Sequence, residues 1–398
     1  MQFNWLITVT AGRWQANTIK RAKQQGIKII AIDSSLAAEG FEYADLIIIA
    51  ELDDVESIKA QIGNRNICGV LSICSEAGMI LAGKLRDYYH VSTGPNLEVS
   101  QRLVNKALQR TYWQQENVTG PKWLASGNLD QLFSSAQTMA LPFMIKPADS
   151  AGSRGVVKVE HFDDNINNYL ESALSLSKSK QVIIEDFMDG VEYTVEGFVH
   201  QGKSQVLVIT EKDKIPSTHG LVAYRLQSAI LSEKLNAKIS QLVIDAVTAL
   251  NYKNGPFHAE VIVMKNGNIG MVELAGRGGG FLVFERFVQL ASGVDIVANT
   301  INQAIGKNIT PTQVSKQYCI LHFFPNEVGT VNAITGFEEA NLLDGVEGGA
   351  FIEQGTVLTE AKCDGDRMGY VISYSDNETK SKQQLQKAIS LINFKVTK

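Results

Sequence analysis

The feature that most constrains the fold is the pair Asn266-Gly267, which lies between two runs of mostly apolar residues. A two-residue type I′ turn needs positive φ at both central positions, and Asn and Gly tolerate this best, so the pair predicts a tight β-hairpin. That turn fixes a register in which residues whose numbers sum to 533, as 266 and 267 do, face each other. Glu260 and Glu273 are then direct cross-strand neighbours, with Cβ atoms about 5 Å apart.

Two carboxylates in such positions repel each other unless a positive charge lies between them. A Mg²⁺ ion that also binds the phosphates of a nucleotide is a hard, oxygen-seeking cation and suits such a pair. The alternative is a pair of surface glutamates on a solvated face of the hairpin. The hairpin alone leaves both interpretations open.

The overall composition is that of an ordinary globular chain. The 398 residues are 44% hydrophobic and 20% charged, which suits two or three domains. A net charge of −5 argues against a nucleic-acid or membrane-surface partner. The four cysteines lack CxxC spacing, and no run of 18 apolar residues is present. The first ten residues lack a basic region and a long apolar region, so they predict no signal peptide. We therefore expect a cytoplasmic protein with reduced thiols and no membrane span.

The first part of the chain, up to about residue 90, alternates between strand-like and helix-like patterns. Apolar runs predict strands at 6–10, 27–33, 46–50 and 69–73, and helical spacing predicts helices at 14–25, from 55 onward, and at 76–89. Buried strands that alternate with helices indicate a parallel, doubly wound sheet. The turn after the first strand, Ala11-Gly-Arg-Trp14, is not GxGxxG, so a scaffold domain is a better interpretation than a dinucleotide site.

Turn signals and pattern changes divide the chain into three predicted domains. The turn Thr93-Gly-Pro95 ends a domain at 1–94, and a helix at 97–116, which carries Lys106 and Arg110 on one face, opens a second at 95–310. The second domain contains strands within 142–159 and 182–197, a helix at 231–250, and a helix that starts near 284 and passes 295. A third, β-rich domain at 311–398 has short strands, Gly-rich turns and a last helix at 380–392. The fold class is therefore α/β combined with α+β.

One formal motif is misleading. The segment Gly197-Phe-Val-His-Gln-Gly-Lys-Ser204 matches the phosphate-loop pattern G-x-x-x-x-G-K-[ST]. A phosphate loop needs a helix after it, because the helix N-terminus holds the phosphates, yet a strand pattern at 205–210 follows here. We expect a hairpin turn in this segment.

A better phosphate-binding pattern follows the predicted strand that contains Lys146. The loop contains Ala151-Gly152-Ser153 and Gly155, small residues whose backbone N–H groups can approach phosphate oxygens closely. Lys146 would add a point charge for the same phosphates. A Gly-rich hairpin with no nucleotide is the competing interpretation.

Glu185 and Glu192 flank a turn at Met188-Asp-Gly190. Backbone groups of such a linker can bind an adenine, and a carboxylate just beyond it can accept from ribose hydroxyls. Acidic residues are also common at ordinary turns, so this pattern is weak by itself.

His258 and Arg277 lie close in sequence to the paired glutamates. His258 is two residues before Glu260, so the strand period places both on one face. Two interpretations are open: a histidine that contacts the substrate, and a hydrogen-bonded structural histidine. Arg277 lies within Gly276-Arg-Gly-Gly-Gly280, and these glycines leave its guanidinium free for a bidentate grip on a carboxylate or acyl phosphate.

Taken in this order, the pieces resemble the ATP-grasp superfamily over nearly the whole chain. The ordered set is Lys106, Lys146 with its Gly/Ser loop, Glu185-x6-Glu192, Glu260-x12-Glu273 and Arg277. Within the superfamily, the segments around Glu260 and Arg277 look most like ATP-dependent carboxylate–amine ligases that join amino acids. The segment Arg367-Met-Gly-Tyr-Val-Ile372 is similar to the C-terminal domain of biotin carboxylase. The resemblance implies a central two-subdomain ATP-grasp fold and a C-terminal domain that completes the substrate site.

The resemblance also implies a role for each matching position. The nucleotide would be bound by Lys106, Lys146, Gly152, Ser153, Glu185, Asp186, Phe187, Met188 and Glu192. In this set the lysines hold phosphates, the Gly/Ser loop covers the γ-phosphate, the 186–188 linker binds adenine and the last glutamate binds ribose. One or two Mg²⁺ or Mn²⁺ ions would be bound by Glu260 and Glu273, and the catalytic residues would be Arg277, His258 and Lys212.

The implied reaction activates a carboxylate, that of an amino acid, as an acyl phosphate and joins it to an amine, with release of ADP and phosphate. Its partners would be ATP and small carboxylate and amine substrates, and the family analogy suggests a homodimer. The alternatives are another ATP-grasp reaction, such as carboxylation or a purine-pathway ligation, and a non-catalytic nucleotide-binding protein. The chain departs from the superfamily pattern at two places. Ala275 stands where many members have a metal-binding Asn, which affects the metal site. Many members also have a proline in the stretch that matches 226–231, and this chain has none, which affects the acceptor site.

Overall fold

The computed structural model describes residues 4–152, 154–163, 165–215, 222–309, 317–361 and 365–397. The strands of these residues form four sheets. No helix in the described ranges is long and apolar enough to cross a membrane. Cys68, Cys74 and Cys319 are free thiols, as expected, and Cys363 lies outside the described residues.

The N-terminal part is the predicted parallel sheet flanked by helices. Its strands are β1 (Asn4–Val9), β2 (Lys28–Asp33), β3 (Leu46–Ile49) and β4 (Asn66–Ser72). Its helices are α1 (Arg13–Gln24), α2 (Val55–Ile62) and α3 (Met79–Tyr88), with a 3₁₀ helix at Glu39–Tyr43. The strands pair in parallel in the order β3-β2-β1-β4. Residues of both faces, such as Leu6, Ile7, Ile29 and Ile30, are fully buried, which explains the continuous apolar runs.

The single helix predicted at 97–116 is wrong, because the structure has two helices, α4 (Leu97–Val104) and α5 (Lys106–Gln115). Asn105 separates them in extended backbone and caps α5, since its side-chain oxygen accepts from the N–H of Leu108. The N–H of Lys106 donates to the carbonyl of Ala148 at 2.7 Å. Helical periodicity continues across the break, so the sequence pattern did not reveal it.

Next comes an antiparallel sheet of four strands, called the small sheet below. Its strands are β5 (Trp123–Ser126), β6 (Phe143–Pro147), β7 (Val157–Val159) and β8 (Val182–Asp186), in the order β5-β8-β6-β7. The helices α6 (Leu129–Ala136) and α7 (Ile166–Leu176) cover one face. A core that includes Leu132, Phe143, Ile145, Leu170 and Ile184 lies between helices and strands.

The elements that follow are β9 (Gly190–His200), β10 (Lys203–Lys214), β11 (Ala223–Ser228), α8 (Glu233–Ala249), β12 (Gly255–Met264) and β13 (Ile269–Ala275). β9 and β10 form a hairpin through Gln201 and Gly202, whose φ values are +50° and +77°. The formal phosphate-loop motif therefore lies on a hairpin, as predicted.

The hairpin predicted at Asn266-Gly267 is present, but its turn is longer than predicted. Val263 pairs with Ile269, whereas the predicted register pairs Val263 with Gly270. Gly267 has a φ of +82°, whereas Asn266 does not adopt positive φ, so the turn is not type I′. The predicted turn type and the uniform register are wrong.

A β-bulge restores the predicted pairing further along the hairpin. Val261 pairs with Met271 while Glu260 pairs with Glu273, so Val272 is an extra residue on β13. The adjacent carboxylates are confirmed, although the register that places them together depends on a bulge that the turn signal did not predict.

The predicted helix that starts near residue 284 and passes 295 is interrupted. A π-helical turn at Val283–Phe287 leads into α9 (Val288–Ser292), and α10 (Ile296–Ala304) follows. Gly293 ends α9 with a φ of +73°, and the side chain of Asp295 caps α10 through the N–H of Ala298. The break is a C-cap followed by an N-cap, so the prediction of one helix is wrong.

The remaining elements are β14 (Tyr318–Pro325), β15 (Gly329–Thr335), α11 (Phe337–Asn341), β16 (Val346–Ala350), β17 (Val357–Leu358), β18 (Arg367–Ser375), α12 (Glu378–Leu391) and β19 (Asn393–Thr397). A small antiparallel sheet has the order β17-β15-β19. The large sheet is antiparallel, with the order β13-β12-β9-β10-β11-β14-β18-β16. The strands of this sheet come from both sides of residue 310, where the sequence predicts a domain boundary. The predicted boundaries at 94 and 310 stay predictions.

Candidate active site

One cavity of about 930 Å³ lies between the small sheet and the large sheet. Among the residues that line it are Lys106, Lys146, Gly152, Glu185, Asp186, Phe187, Met188, Glu192, Lys212, His258, Glu260, Glu273 and Arg277. These are all the predicted site residues that the structure describes, because Ser153 lies outside the described residues. The fold therefore brings together residues that are widely separated in sequence.

Glu260 and Glu273 face each other on β12 and β13, and each contacts a lysine. Lys106 Nζ donates to Glu273 Oε1 at 2.7 Å and to the carbonyl of Ser150 at 2.8 Å. Lys212 Nζ donates to Glu260 Oε1 at 2.7 Å. These ammonium groups supply the positive charge that two adjacent carboxylates require.

Lys212 joins the carboxylate pair to Glu192. Its Nζ donates to Glu192 Oε1 at 2.6 Å, and Lys214, two residues along β10, donates to Glu192 Oε2 at 2.5 Å. Burial favours neutral Lys212, but Glu192 and Glu260 outweigh burial and raise its pKa, so the ammonium stays charged. The residue that the resemblance assigns to ribose therefore lies between two cations.

Glu185 is buried between two cations from different elements. Arg110 of α5 donates to Glu185 Oε2 through Nε at 3.1 Å and Nη2 at 3.0 Å, and Lys146 donates to Oε1 at 2.5 Å. Burial would raise the pKa of Glu185, but Arg110 and Lys146 outweigh burial and lower it to about 2. This carboxylate holds Lys146 at the cavity wall.

The two paired glutamates differ in their affinity for a proton. Burial raises the pKa of Glu273; Lys106 opposes this effect, while Glu76 and Glu260 add to it. For Glu260 burial acts in the same direction, but Lys212 and His258 outweigh it and hold the pKa well below its usual range. A divalent cation at this position would favour the ionised form of both groups.

His258 is held by Glu196, a residue that the sequence analysis missed. Its Nδ1 contacts Glu196 Oε1, and its Nε2 lies 3.9 Å from Glu260 Oε1. Glu196 is fully buried, and its other oxygen accepts from the N–H of Gly279 at 3.2 Å. Burial lowers the pKa of His258, but Glu196 and then Glu260 outweigh burial and raise it to about 9, so the imidazole is charged at neutral pH. Glu196 lies four residues from Glu192 on one strand face, and this spacing was the available signal.

Arg277 is paired with Glu76, which the sequence analysis also missed. Arg277 Nη2 donates to Glu76 Oε1 at 2.6 Å, and Nη1 donates to the carbonyl of Gly278 at 2.9 Å. Cys74, two residues before Glu76, contacts the carbonyl of Gly279 through its Sγ at 3.3 Å. Glu76 follows the carboxyl end of β4, and ligand sites of parallel sheets lie at such ends, so its position could have been a signal.

The other end of the cavity is formed by the linker between β8 and β9. Asp186, Phe187 and Met188 all line the cavity, and the N–H of Asp186 donates to the carbonyl of Lys122 at 2.9 Å. The ammonium of Lys158 on β7 lies 4.4 Å from the ring centre of Phe187. Gly152 of the Gly/Ser loop has a φ of +65° and open space beside its Cα.

The donor set fits a hard divalent cation that shares its coordination with a ligand. Within the described ranges, no group of three or more His, Cys, Asp or Glu side chains is arranged to hold a metal by itself. Mg²⁺ is ordinarily held by one or two carboxylates together with substrate phosphates and water, and Glu260 with Glu273 supplies two carboxylates. Ala275, at the position of the missing Asn, is buried at the cavity wall and offers no third side-chain ligand.

Comparison with known proteins is consistent with this arrangement. A family model described as the ATP-grasp domain matches residues 139–285, and one described as the L-amino acid ligase C-terminal domain 2 matches residues 321–397. The chain is 26% identical to the uncharacterized protein y4rH of Sinorhizobium fredii, over 98% of this chain and 82% of that protein. It is 23% identical to dapdiamide A synthase of Enterobacter agglomerans over 63% of this chain, and the match spans 62% of that enzyme.

Two solved structures share the whole fold. The L-amino acid ligase from Bacillus licheniformis has a TM-score of 0.82 at 18% identity, over 100% of this chain and 99% of that chain. The phosphoribosylglycinamide synthetase from Anaerococcus prevotii has a TM-score of 0.79 at 19% identity, over 100% of both chains. These two similarities define the fold of the chain. The chain carries an ATP-grasp domain and an L-amino acid ligase C-terminal domain. It is also 23% identical to the alanine–anticapsin ligase of Bacillus subtilis, over 51% of this chain and 47% of that enzyme.

Proposed function

We propose that the chain is an ATP-dependent carboxylate–amine ligase that activates the carboxylate of an amino acid. The observation that carries this proposal is the convergence of five buried or half-buried groups on one cavity: Lys106, Lys146, Glu260, Glu273 and Arg277. A protein that only bound a nucleotide would not need both lysines, both carboxylates and the arginine together.

In the proposed first step, an oxygen of the substrate carboxylate attacks the γ-phosphorus of ATP. The bond between this phosphorus and the bridging oxygen breaks, and ADP leaves, so an acyl phosphate forms. In the second step the amine attacks the acyl carbon, loses a proton, and displaces phosphate to form an amide. The two steps balance with ADP, phosphate and the proton that the amine releases to solvent as the other products.

The residues of the chain contribute mainly charge and position to these steps. Lys106 and Lys146 would bind phosphates once ATP draws them from Glu273 and Glu185. Arg277 would stabilise charge on the acyl phosphate and on the tetrahedral intermediate. Mg²⁺ bound by Glu260 and Glu273 would neutralise phosphate charge during transfer. His258 and Lys212 would contact the same anionic groups from the neighbouring strands.

Closure of the small sheet over the cavity would keep the acyl phosphate from water. The Gly/Ser loop between β6 and β7, including Ser153, would cover the γ-phosphate. The linker at Asp186, Phe187 and Met188 would bind adenine, and Glu192 would bind the ribose. These assignments rest on the resemblance and on the position of the described residues at the cavity.

The test is an assay with ATP, Mg²⁺ and hydroxylamine, to which amino acids and small carboxylates are added one at a time. Hydroxamate with ADP release is expected, and it identifies the donor. Hydroxamate with AMP release would mean an acyl adenylate and would overturn the mechanism. ATP binding with no hydroxamate from any donor would favour a bicarbonate-type reaction or a nucleotide-binding protein.

A homodimer and a cytoplasmic location are further predictions for the chain. Light scattering after size exclusion should give twice the chain mass of 43.6 kDa, and a single chain mass at micromolar concentration would contradict the dimer.

A further inference from the structure

Three aromatic rings, called the aromatic wall below, form one end of the cavity: Trp14, Phe281 and Phe323. The ring centres of Trp14 and Phe281 are 4.9 Å apart, and those of Phe281 and Phe323 are 6.3 Å apart. Phe323 is fully buried, whereas Trp14 and Phe281 are partly exposed. The wall joins the start of α1, the segment after β13 and strand β14.

Phe281 is held in place from both sides. Trp14 packs on it from α1, and the guanidinium of Arg367 lies 4.7 Å from its ring centre. Arg367 also lies 3.7 Å from the ring centre of Phe323 and donates to the carbonyl of Ala223 at 2.6 Å. A ring fixed in this way loses little entropy when a ligand packs against it.

The backbone at Phe281 adopts a strained conformation. Phe281 and Leu282 have φ values of +52° and +69°, in the left-handed region that side-chain-bearing residues rarely adopt. A π-helical turn at Val283–Phe287 follows at once. Strained backbone and π-helical turns occur frequently at functional sites, where the surrounding structure maintains them to aim a side chain.

The aromatic wall lines the same cavity as Arg277, the group proposed to stabilise the acyl phosphate that forms on the donor carboxylate. Phe281 is four residues after Arg277, and Gly280 between them leaves open space, since a Cβ built there would meet no atom within 4 Å. The nearby thiol of Cys74 contacts the carbonyl of Gly279. The side chain of a donor whose acyl phosphate is bound by Arg277 would therefore be able to reach the aromatic rings within this cavity.

We propose that the carboxylate donor is an amino acid with a bulky apolar side chain, aromatic or long aliphatic, which packs against the aromatic wall. This inference rests on the proposed ligase function and adds the substrate class. It assigns Trp14 and Phe281 as specificity-determining residues. The burial of apolar surface and the ring contacts would favour such donors over small or charged ones.

The first test compares donors in the hydroxylamine assay, with glycine, alanine, leucine, methionine, phenylalanine, aspartate and lysine at saturating ATP and Mg²⁺. The kcat/KM of the best apolar donor should exceed that of alanine by about 10-fold or more. Aspartate or lysine as the best donor would overturn the proposal.

The Phe281→Ala variant tests the wall directly. It should lower kcat/KM for apolar donors about 10-fold or more and leave alanine within about 3-fold, with the KM for ATP unchanged. Phe162→Ala is the matched control, because Phe162 is 40% exposed and does not line the cavity. An equal loss for all donors would mean a structural role, and an effect on the amine substrate alone would assign the wall to the acceptor; either result overturns the proposal.

A binding measurement separates failure of this inference from failure of the ligase function. Phenylalanine or leucine, added with Mg²⁺ and a non-hydrolysable ATP analogue, should change the tryptophan fluorescence of the chain. The change should be lost in Trp14→Phe and kept in Trp5→Phe, because Trp5 packs on Arg65 and does not line the cavity. Fluorescence change without hydroxamate would support the wall and contradict the ligase; hydroxamate from polar donors alone would do the opposite.

Discussion

At the residue scale, the site pairs cations with carboxylates. Lys106 with Glu273, Lys146 with Glu185 and Arg277 with Glu76 are the clearest pairs. In a buried position an unpaired charge is costly, so such groups are stable only while each has a partner. In the proposed function, nucleotide phosphates would become the new partners of Lys106 and Lys146, and Mg²⁺ that of Glu273.

The Glu273→Ala variant should lose turnover almost completely. The change removes one carboxylate of the predicted metal pair and leaves Lys106 with the carbonyl of Ser150 as its described partner at the site. ADP release should fall by about 100-fold or more. Glu171→Ala, at an exposed position on α7, is the control and should keep its activity. Activity like that of the wild type in the Glu273 variant would disprove the metal assignment.

His322 provides a pH-dependent contribution to stability. Burial and then Arg225 lower the pKa of His322 to about 4, whereas an unfolded histidine titrates near 6.5. Between these values the unfolded chain binds more protons than the folded chain, so this contribution is complete above about pH 6.5 and is lost as pH falls through 4. The free energy of unfolding should fall by about 1–2 kcal/mol from this group between pH 7 and 5.

Urea unfolding of the wild type and His322→Gln at several pH values measures this effect. The stability difference between the two proteins should change with pH in that window. Parallel pH profiles would contradict the prediction, because they would mean that His322 titrates equally in both states.

At the element scale, short irregularities in helices and strands determine where the functional residues lie. The break at Asn105 begins a new helix with Lys106 at its first turn, and the bulge at Val272 sets Glu273 opposite Glu260. Both are local irregularities inside patterns that predict regular elements. In each case the residue that follows the irregularity has a charged side chain that lines the cavity.

Removing the cap of α5 should weaken both the helix and the site. Asn105→Ala loses the hydrogen bond from the N–H of Leu108 and should cost about 1 kcal/mol of unfolding free energy. Because Lys106 follows directly, the KM for ATP should rise as well. Asn128→Ala, which removes the same type of cap from α6, is the control and should change stability but not the KM. An unchanged KM in Asn105→Ala would show that the cap does not position Lys106.

The contact between α5 and β8 should depend on a buried ion pair. Arg110 and Glu185 are both about 2% exposed, so Arg110→Met leaves a buried carboxylate with Lys146 alone. The expected loss is about 3–5 kcal/mol, measured by urea unfolding. Arg110→Met combined with Glu185→Met should be less destabilising than the sum of the single changes. Additive losses would mean that the two groups are not coupled.

At the scale of the whole molecule, the cavity lies between two sheets that belong to different parts of the chain. The small sheet contributes Lys146 and Glu185, and the large sheet contributes Glu192, Glu260 and Glu273. A ligand that contacts both sheets at once would hold them together. Binding should therefore reduce the motion of one sheet relative to the other.

Hydrogen exchange should detect this closure. A non-hydrolysable ATP analogue with Mg²⁺ should slow amide exchange in β6, β8, β12 and β13. The distant helix α12 serves as the internal control and should not change. Protection confined to the N-terminal parallel sheet would contradict closure of the small sheet on the nucleotide.

Much of the architecture could be predicted because it depends on local patterns. Apolar runs predicted the strands of the parallel sheet, and the ordered set of charged residues carried the resemblance from which the site was predicted. The helix breaks at Asn105 and Gly293 were missed because caps and tertiary hydrogen bonds override periodicity there. Glu76 and Glu196 were missed because their partners, Arg277 and His258, lie far away in sequence.

The sequence by itself determined the parallel sheet and the hairpin that carries Glu260 and Glu273, since both follow from short-range spacing. It also carried the resemblance to the ATP-grasp superfamily, through an ordered set of residues along the chain. Tertiary structure alone decided which cation pairs with which carboxylate and which bulge corrects the hairpin register. It also decided that Trp14 and Phe281 share one cavity wall. The physical reason is that burial and charge pairing depend on distances between side chains, and residues hundreds of positions apart acquire those distances only when the sheets pack.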